Sequence, residues 1–395
     1  MDFSNENSNS QPKYSLLTAI LFWCGLVIVA SNYLTIPLMP IFSEDLHTGM
    51  TNAAWTGSAF SLCYAIGCLF TGPLSDRYGR KQVMLAGLAI LTAVTFILPI
   101  VSSLAWVIVW RSFQGFTAAS FAPVAIAYAV DKFPLEKRVT AIGFISSSFL
   151  ISAIVGQIFS SYISQQFNWQ SVFYYFGGIY FVTALLVLFL LPKTAVRQEN
   201  SNLKFMFTQF FRLLMDKRLI QVYSIAVTLL LTFVAFYTIL GEYLMEEFAI
   251  RTDGILYVRI IGIIGMLFAP FAGKLTSRFG LMKILRTALI IAVLGLLITG
   301  ISSNFVFLVI MSIIFVAGIA LTVPTLISLV GQLGGKNHGA AVSLYTFILF
   351  VGASLGPMAA VFLLQITNYG MAFVCLAILL GVSLIISFCI KTDQS

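Results

Sequence analysis

The chain alternates long apolar runs with short polar connections, and the apolar runs continue from residue 16 to residue 390. A helix needs about 20 apolar residues to cross the hydrocarbon core of a bilayer. The sequence therefore predicts twelve transmembrane helices, near residues 16–40, 53–74, 82–101, 104–130, 139–163, 171–192, 219–244, 254–273, 284–302, 304–330, 339–364 and 371–390. Because the first run is longer than a signal-peptide core and lacks a small-residue cleavage site, we interpret it as a retained helix.

The composition agrees with a chain that lies in a bilayer. Of the 395 residues 59% are hydrophobic and 9% are charged, whereas roughly a quarter of the residues in a soluble chain are charged. The apolar bias runs along the whole length, which excludes a soluble enzyme with a membrane tail. A lipid-facing barrel would need polar residues at alternate positions. The predicted fold class is therefore an all-α membrane protein.

Residues that could carry catalysis or hold a metal are few in this sequence. The two histidines, His47 and His338, are expected in loops, and the sequence contains no Ser/His/Asp order, metal-ligand spacing or phosphate-binding glycine loop. The five cysteines lie inside apolar runs and are interpreted as small core residues. We predict no enzymatic activity, no metal, no cofactor and no use of ATP.

The placement of the basic residues predicts the orientation of the chain. All but three of the 22 Lys and Arg residues fall on one side of the predicted topology. The exceptions are Arg251, on the other side, and Arg111 and Arg259, inside predicted spans. Because cytoplasmic loops are enriched in Lys and Arg, both termini are expected in the cytoplasm. The net charge of +8 then reflects topology, and no nucleic-acid partner is predicted.

The longest polar stretch divides the chain into two halves. We predict a cytoplasmic tail over 1–15, a six-helix bundle over 16–192, a cytoplasmic linker over 193–218, a second bundle over 219–390 and a short cytoplasmic tail over 391–395. The linker alternates apolar and basic residues at helical spacing, which is typical of an amphipathic helix on anionic headgroups. A plain linker is the alternative.

A ten-residue segment after the second helix recurs after the eighth. The segments are GPLSDRYGRK (Gly72 to Lys81) and GKLTSRFGLM (Gly273 to Met282). The shared positions are Gly72, Leu74, Arg77 and Gly79, which recur as Gly273, Leu275, Arg278 and Gly280. So long a period indicates a duplicated bundle. Two related bundles are typical of transporters whose binding site lies between the halves, near the bilayer midplane.

The first of these segments resembles the signature loop between helices 2 and 3 of the major facilitator superfamily. The matching residues are Gly72, Asp76, Arg77, Gly79, Arg80 and Lys81. The resemblance implies twelve helices in two pseudo-symmetric bundles, and a gating role for these residues, for Arg278 and for Asp131, which would pair with Arg80. A glycine at 72 lets a neighbouring helix approach, Gly79 permits a tight turn, and Asp76 would face a helix N-terminus.

The fourth predicted helix resembles a second pattern of the same family. In VIVWRSFQGFTAA, residues Arg111, Gln114 and Gly115 stand at the family's positions, with Thr117 in place of a glycine. Resemblance to drug–proton antiporters implies that Arg111 acts in proton coupling or substrate access. An arginine paired with backbone carbonyls is the alternative, since a buried arginine needs a partner or a cavity.

The fifth helix departs from the antiporter pattern, and the eleventh matches it better. SAIVGQIFSS keeps Ser152 and Gly156 but has Gln157 where the family has proline, whereas GASLGP runs from Gly352 to Pro357. Small residues let helices pack and bend. The predicted packing residues are Gly115, Gly156, Gly352, Gly356 and Pro357.

Polar and aromatic side chains at membrane depth predict a substrate cavity. The first helix, ASNYLTIPLMPIF, resembles that of Bcr/CflA-type drug–proton antiporters but lacks the carboxylate that they commonly hold, and Pro37 and Pro40 are expected to break its outer end. The predicted substrate-binding residues are Asn32, Tyr33, Arg111, Gln114, Phe236 and Tyr237. Such a cavity suits amphipathic molecules, with core or lipid-facing packing as the alternative for each aromatic residue. Thr322 and Thr325 of helix 10 are further candidates.

A proton-driven transporter needs a group that titrates within the membrane. Glu242, near the outer end of helix 7, is the predicted coupling acid together with Arg111. The alternative for Glu242 is a boundary residue in water. Glu246 and Glu247 lie further out and are expected to be solvated.

These patterns together predict a transporter rather than an enzyme. The preferred function is proton-coupled efflux of small amphipathic compounds, including drugs, by rocking of the two halves. The alternative is uptake or facilitated transport of a metabolite such as an organic anion, with Arg111 or Arg259 as its partner. A small-molecule substrate, protons and the lipid bilayer are the predicted partners. We expect a monomer in a bacterial plasma membrane, because the outer loops are short and contain no N-x-S/T site.

Overall fold

The computed structural model describes residues 14–194, 210–250, 252–301 and 304–390. Its α-helices, in chain order, are α1 (Tyr14–Ala30), α2 (Met39–Asp45), α3 (Met50–Tyr78), α4 (Arg80–Ile97), α5 (Leu104–Ala118), α6 (Ala122–Lys132), α7 (Leu135–Gln166), α8 (Trp169–Leu190), α9 (Lys217–Glu246), α10 (Thr252–Met266), α11 (Ala272–Phe279), α12 (Leu281–Ile301), α13 (Phe305–Gly334), α14 (His338–Ile366) and α15 (Tyr369–Cys389). Residues 210–215 are also helical. Both predicted tails, apart from residues 14 and 15, and most of the predicted amphipathic linker lie outside the described residues.

These helices form the twelve spans that the apolar runs predict. Within the described part, eleven helical segments are long and apolar enough to cross a membrane, and α1 is a shorter apolar helix of 17 residues. Two spans consist of two helices each, α5 with α6 and α10 with α11. The chain is an all-α membrane protein, and the prediction of this fold class is confirmed.

The first span breaks earlier than its prolines predict. Helix α1 ends at Ala30, and residues 31–38 are turns before α2 begins. At the break each backbone hydrogen bond runs from an amide to the carbonyl three residues earlier instead of four. The Tyr33 amide, for example, donates to the Ala30 carbonyl at 2.9 Å. The freed Ser31 carbonyl accepts a bond from Arg111 Nη2 at 2.9 Å, and the Leu34 carbonyl accepts one from Ser160 Oγ at 2.6 Å. Unwound backbone is tolerated at membrane depth when other helices satisfy it in this way.

Each half is a bundle of six spans. In the first half α1 packs on α7, α3 on α5, and α4 on α8; in the second half α9 packs on α14, α10 on α13, and α12 on α13 and α15. Between the halves, α3 packs on α14, while α7 packs on α10, α11 and α13. The predicted packing glycines face neighbouring backbone: an added Cβ would meet Phe60 at Gly115, Ala30 at Gly156, Val227 at Gly352, and Leu231 with Val234 at Gly356.

We call one end of the molecule the basic face; it carries Tyr14, Arg80, Lys132 and Phe279. The other end is called the opposite face. The sequence predicts that the basic face is cytoplasmic.

Candidate functional site

A charged cluster joins the two halves at the basic face. We call Asp76, Arg80, Asp131 and His338 the gate cluster. Asp131, at the end of α6, accepts a bond from Arg80 Nε at 3.1 Å and contacts His338 Nε2 at 3.1 Å. Arg80 also forms an ion pair with Asp76. Because Asp131 belongs to the first half and His338 to the second, the cluster ties the halves together.

The side chains of Arg80 and His338 in the gate cluster are buried, whereas those of Asp76 and Asp131 retain some contact with solvent. The Arg80 side chain is 3% exposed and that of His338 is 7% exposed, against 28% for Asp131 and 32% for Asp76. Arg80 Nη1 also donates to Ser75 Oγ at 2.5 Å and to the Gly72 carbonyl at 3.3 Å. Burying a guanidinium requires this degree of pairing, because an unpaired buried charge costs several kcal/mol.

His338 does not lie in a loop, so that expectation was wrong. It is the first residue of α14, and its ring is packed between the halves. Hydrophobic periodicity does not mark this position, because the residue begins a long helix that is apolar over most of its length. The available signal for a role of His338 was its position at the predicted membrane boundary on the basic side.

The other predicted gate residues occupy different positions. Gly72 faces Ser343 and the Gly339 carbonyl of α14, and Gly79 adopts φ +95°, which joins α3 to α4. Lys81 Nζ donates to the Leu188 carbonyl at 2.7 Å, within the first half. Arg77 and Arg278 are exposed, and each guanidinium lies 5.2 Å from the ring of the next residue, Tyr78 or Phe279. In this conformation these three cations do not cross between the halves.

A second contact closes the basic face on its other side without charge. We call it the glycine contact: Gly143 of α7 faces the Ala269 carbonyl, and Gly273 of α11 faces Thr140. An added Cβ at Gly273 would lie 2.6 Å from the Thr140 amide nitrogen. Nearby, Ser147 Oγ donates to the Met266 carbonyl at 3.1 Å. The halves therefore touch on both sides of the basic face.

A cavity of about 640 Å³ lies between the halves, toward the opposite face. Helices α7, α9 and α10, together with the segment around α2, supply most of its wall. Most lining residues are apolar, and the polar ones are Tyr33, Gln157, Ser161, Tyr237, Thr238, Glu242 and Arg259. The size and lining suit a small molecule that is held mainly through its apolar surface.

Arg259 connects the two halves at this cavity. Its Nη1 donates to Gln157 Oε1 of α7 at 2.9 Å, and its Nη2 approaches the Tyr237 carbonyl at 3.4 Å. Among the described residues, Arg259 Nε and the Tyr237 hydroxyl are buried without a hydrogen-bond partner. Gln157, which the sequence shows only as a departure from the family proline, thus accepts a bond across the interface. Glu242 lines the same cavity, and no ion pair within the described part joins it to Arg259.

Arg111 and Gln114 lie in the core of the first half. Both are fully buried, and neither lines the cavity. Arg111 donates to the Thr56 carbonyl at 3.2 Å, to the Ser31 carbonyl at 2.9 Å and to Gln114 Oε1 at 2.5 Å. Its guanidinium lies 4.3 Å from the centre of the Phe60 ring. This geometry corresponds to the alternative interpretation, an arginine that bonds backbone carbonyls, and it fixes the break after α1.

The remaining predicted substrate residues divide between cavity and core. Tyr33 and Tyr237 line the cavity, and so does Pro357, which was predicted as a packing residue. Asn32 Oδ1 accepts a bond from Ser61 Oγ at 2.6 Å. Phe236 is fully buried between Phe315 and Phe373 and does not line the cavity in this conformation. The buried hydroxyls of Thr322 and Thr325 donate to carbonyls of their own helix.

A cavity between two repeat-related bundles, closed at one face, defines the class: this is a membrane transporter. The family follows from comparison with known sequences. The profile of the Major Facilitator Superfamily matches residues 21–337 and 260–394. The chain belongs to the major facilitator superfamily and is an integral protein of the cell membrane. Its relatives are transporters and not enzymes.

Individual relatives agree with this assignment. An uncharacterized transporter of Buchnera aphidicola subsp. Baizongia pistaciae is 27% identical over 393 residues, which cover 97% of each chain. The multi-drug resistance efflux pump PmrA of Streptococcus pneumoniae is 27% identical, with 85% of this chain and 86% of the pump covered. The crystal structure of the human organic anion transporter MFSD10 shares the fold, with a TM-score of 0.76 at 16% identity, over 95% of this chain and 100% of that one.

Proposed function

We propose that the protein exports small amphipathic compounds in exchange for protons, by alternating access of the cavity between its halves. The observation that carries the proposal is the cavity itself: about 640 Å³, mostly apolar, and provided with one acid, Glu242. Apolar area rather than a dense set of hydrogen bonds would then hold the substrate, which suits varied amphipathic molecules. The similarity to a multi-drug efflux pump supports the same choice.

Glu242 is the proposed coupling acid because it is the carboxylate in the cavity wall. Protonation removes its charge, so that the cavity can close around it with less desolvation cost. An ionised Glu242 in the open cavity is stabilised by water. Exchange of a proton for substrate at one cavity would link the two movements, since each favours a different state of the carboxylate.

The test is transport of a fluorescent amphipathic dye by proteoliposomes with an imposed pH gradient. The wild type should accumulate dye against its gradient, and collapse of the pH gradient should abolish accumulation. Glu242→Gln should reduce gradient-driven accumulation at least about tenfold while dye–dye exchange continues, because the substrate-lining surface remains. Glu247→Gln is the matched control, since Glu247 is exposed, as Glu242 is, but does not line the cavity. Dye accumulation that ignores the pH gradient would contradict the proposal.

One observation favours a second candidate, the transport of an organic anion. Arg259 lies in the cavity wall with a buried Nε that lacks a partner among the described residues. A carboxylate could take the place of Gln157 and bond the guanidinium in bidentate fashion. Arg259→Gln should then abolish binding of organic acids while cationic dyes still bind. Arg286→Gln is the control, because Arg286 bonds the Ser387 carbonyl away from the cavity.

A further inference from the structure

The ring of His338 faces an oxygen acceptor at each nitrogen. Its Nδ1 lies 3.3 Å from the Gly335 carbonyl oxygen, and its Nε2 lies 3.1 Å from Asp131 Oδ1. A carbonyl oxygen and an ionised carboxylate only accept hydrogen bonds, and a neutral imidazole carries a single N–H. Both contacts are hydrogen bonds at the same time only when the His338–Asp131 pair holds one additional proton. Arg80 Nε, 3.1 Å from Asp131 Oδ2, keeps the carboxylate ionised and so assigns that proton to the imidazole.

The charges around the ring favour the same protonation state. The charged side chains that face His338 in the described part are Asp131 from α6, Asp76 from α3 and Arg80 from α4. A protonated His338 brings the gate cluster to two cations and two carboxylates. A neutral His338 leaves the cluster with an excess negative charge in a partly buried site, which is costly. The N-terminus of α14 opposes the cation, but the effect of a helix dipole is weaker than that of a carboxylate in direct contact with the ring.

The contact that requires the proton is a contact between the halves. Asp131 belongs to the first half and His338 to the second, so opening of the basic face separates the imidazole from its carboxylate. The proton is therefore held more tightly in the closed state than in the open one. By thermodynamic linkage, binding of the proton must stabilise the closed state to the same extent.

We propose that His338 is a proton-binding site whose occupancy holds the basic face of the transporter closed. In the predicted orientation the proton comes from the cytoplasm, and acidification there retains the state whose cavity lies toward the opposite face. This site is separate from the cavity and from Glu242, and the inference depends neither on the identity of the substrate nor on the direction of transport.

The test is the distance between spin labels placed across the basic face. Leu135, at the start of α7, and Ser277, in α11, are both exposed and belong to opposite halves. Both would be replaced by cysteine in a full-length chain whose five native cysteines are replaced by alanine, reconstituted in nanodiscs so that both faces experience the same pH. Double electron–electron resonance gives the populations of the short and long distances between pH 5.5 and 8.5.

We expect the short distance to dominate at pH 5.5 and the long one to gain population with rising pH. A single linked proton changes the closed-to-open ratio by up to about tenfold per pH unit. His338→Gln retains one amide donor toward Asp131 at every pH and should give a flat profile. Asp131→Asn, which leaves the histidine but removes the charged acceptor, should also flatten it. The Asp131 variant keeps the inference testable if His338→Gln fails to fold.

Two control variants separate this site from other titrating groups. His47→Gln changes the other histidine, which is exposed before α3, and should leave the pH profile unchanged. Glu242→Gln should also keep the profile, even if it abolishes proton-driven transport, so failure of the proposed function and failure of this inference are distinguishable. A flat wild-type profile, or an unchanged slope in both His338→Gln and Asp131→Asn, would overturn the inference.

Discussion

On one side of the basic face α6 meets α14 through the gate cluster, and on the other side α7 meets α11 through glycine. The gate cluster brings two carboxylates to the buried side chains of Arg80 and His338. The glycine contact brings backbone to backbone, with Gly273 against Thr140 and Gly143 against Ala269. The first contact is electrostatic, so we expect high salt to weaken it, and the proposal for His338 makes it respond to pH as well. The second depends on shape and is insensitive to both.

The two contacts descend from one repeated segment, which makes the comparison informative. Gly72 and Gly273 both face the other half, and Gly79 and Gly280 both adopt positive φ. The charged positions of the gate cluster are not repeated: where the first segment has Asp76 and Arg80, the second has Ser277 and Leu281. The two segments thus share their backbone geometry, whereas only the first segment contributes charged residues to the gate cluster.

The largest effect is expected from removal of the buried cation of the gate cluster. Arg80→Gln leaves Asp76 and Asp131 without their guanidinium, and breaking a buried pair costs about 3 kcal/mol at the lower end of its range. The lower end applies because both carboxylates keep some contact with water. Because the side-chain partners of Arg80 among the described residues all lie in the first half, we expect this cost in the free energy of unfolding, which thermal unfolding of the purified protein measures.

The matched control for this change is the corresponding exposed arginine of the second half. Arg278 has no acidic partner among the described residues and lies over the ring of Phe279. Arg278→Gln should change the free energy of unfolding by less than about 0.5 kcal/mol, as is usual for surface substitutions. Equal effects of Arg80→Gln and Arg278→Gln would show that the second segment relies on its arginine as much as the gate cluster relies on Arg80.

The next largest effect is expected from an added methyl group at the glycine contact. In Gly273→Ala the new Cβ would lie 2.6 Å from the Thr140 amide nitrogen and 2.9 Å from its Cα. Backbone cannot rotate away, so we expect a cost of about 2 kcal/mol to the closed state. In Gly72→Ala the Ser343 hydroxyl can rotate away, and the fixed atoms that remain, Ser343 Cβ at 2.9 Å and the Gly339 carbonyl oxygen at 3.1 Å, lie further off than those at Gly273. The expected cost is about 1 kcal/mol.

Distances between the same two labels, at Leu135 and Ser277, give the closed-to-open ratio of both glycine variants. The dependence of this ratio on pH then distinguishes the glycine contact from the gate cluster. Gly273→Ala should lower the closed-to-open ratio by the same factor at pH 5.5 and pH 8.5, because the contact contains no titrating group. A changed pH slope in Gly273→Ala would mean that the two contacts are energetically coupled. Additivity with His338→Gln would argue that they act independently.

Sequence alone predicts the number of spans, the two halves and the repeated turns, because the bilayer imposes a length on each apolar run. It does not predict how each helix is rotated about its axis. Phe236 and Tyr237 are neighbours in an apolar helix, yet one is buried in the bundle and the other lines the cavity. A helix that faces lipid on one side and core on the other is apolar all round, so its periodicity marks no face.

Long-range contacts account for the other features that the sequence left open. The break after α1 begins before Pro37 because Arg111, from another helix, captures the Ser31 carbonyl. Gln157 and His338 gain their partners, Arg259 and Asp131, only when the two halves meet. The local sequence pattern around a residue does not predict partners that come from the other half.

A smaller effect is expected from substitution of the glycines in the turns that both segments share. Gly79 has φ +95° and ψ 140°, and Gly280 has φ +88° and ψ 149°, a region that residues with a Cβ rarely adopt. Gly79→Ala and Gly280→Ala should each lower the free energy of unfolding by about 1 kcal/mol, and to a similar extent. Thermal unfolding of the purified protein measures both, and a much larger loss at one site would show that the repeat does not share its backbone strain equally.

The smallest effect is expected from an attempt to copy the charges of the gate cluster into the second half. Ser277→Asp places a carboxylate at the position that corresponds to Asp76, but Leu281 stands where Arg80 would have to be. Without a buried cation the new carboxylate remains solvated, so the closed population should change by less than about 0.5 kcal/mol. Adding Leu281→Arg supplies a partner, and an exposed ion pair contributes about 0.2–1 kcal/mol. For these variants the second label moves from Ser277 to Lys274, which is also exposed in α11. In distance measurements between the labels, only the double variant should gain a closed population that high salt removes. A gain from Ser277→Asp alone would contradict the claim that the gate cluster needs its buried cation.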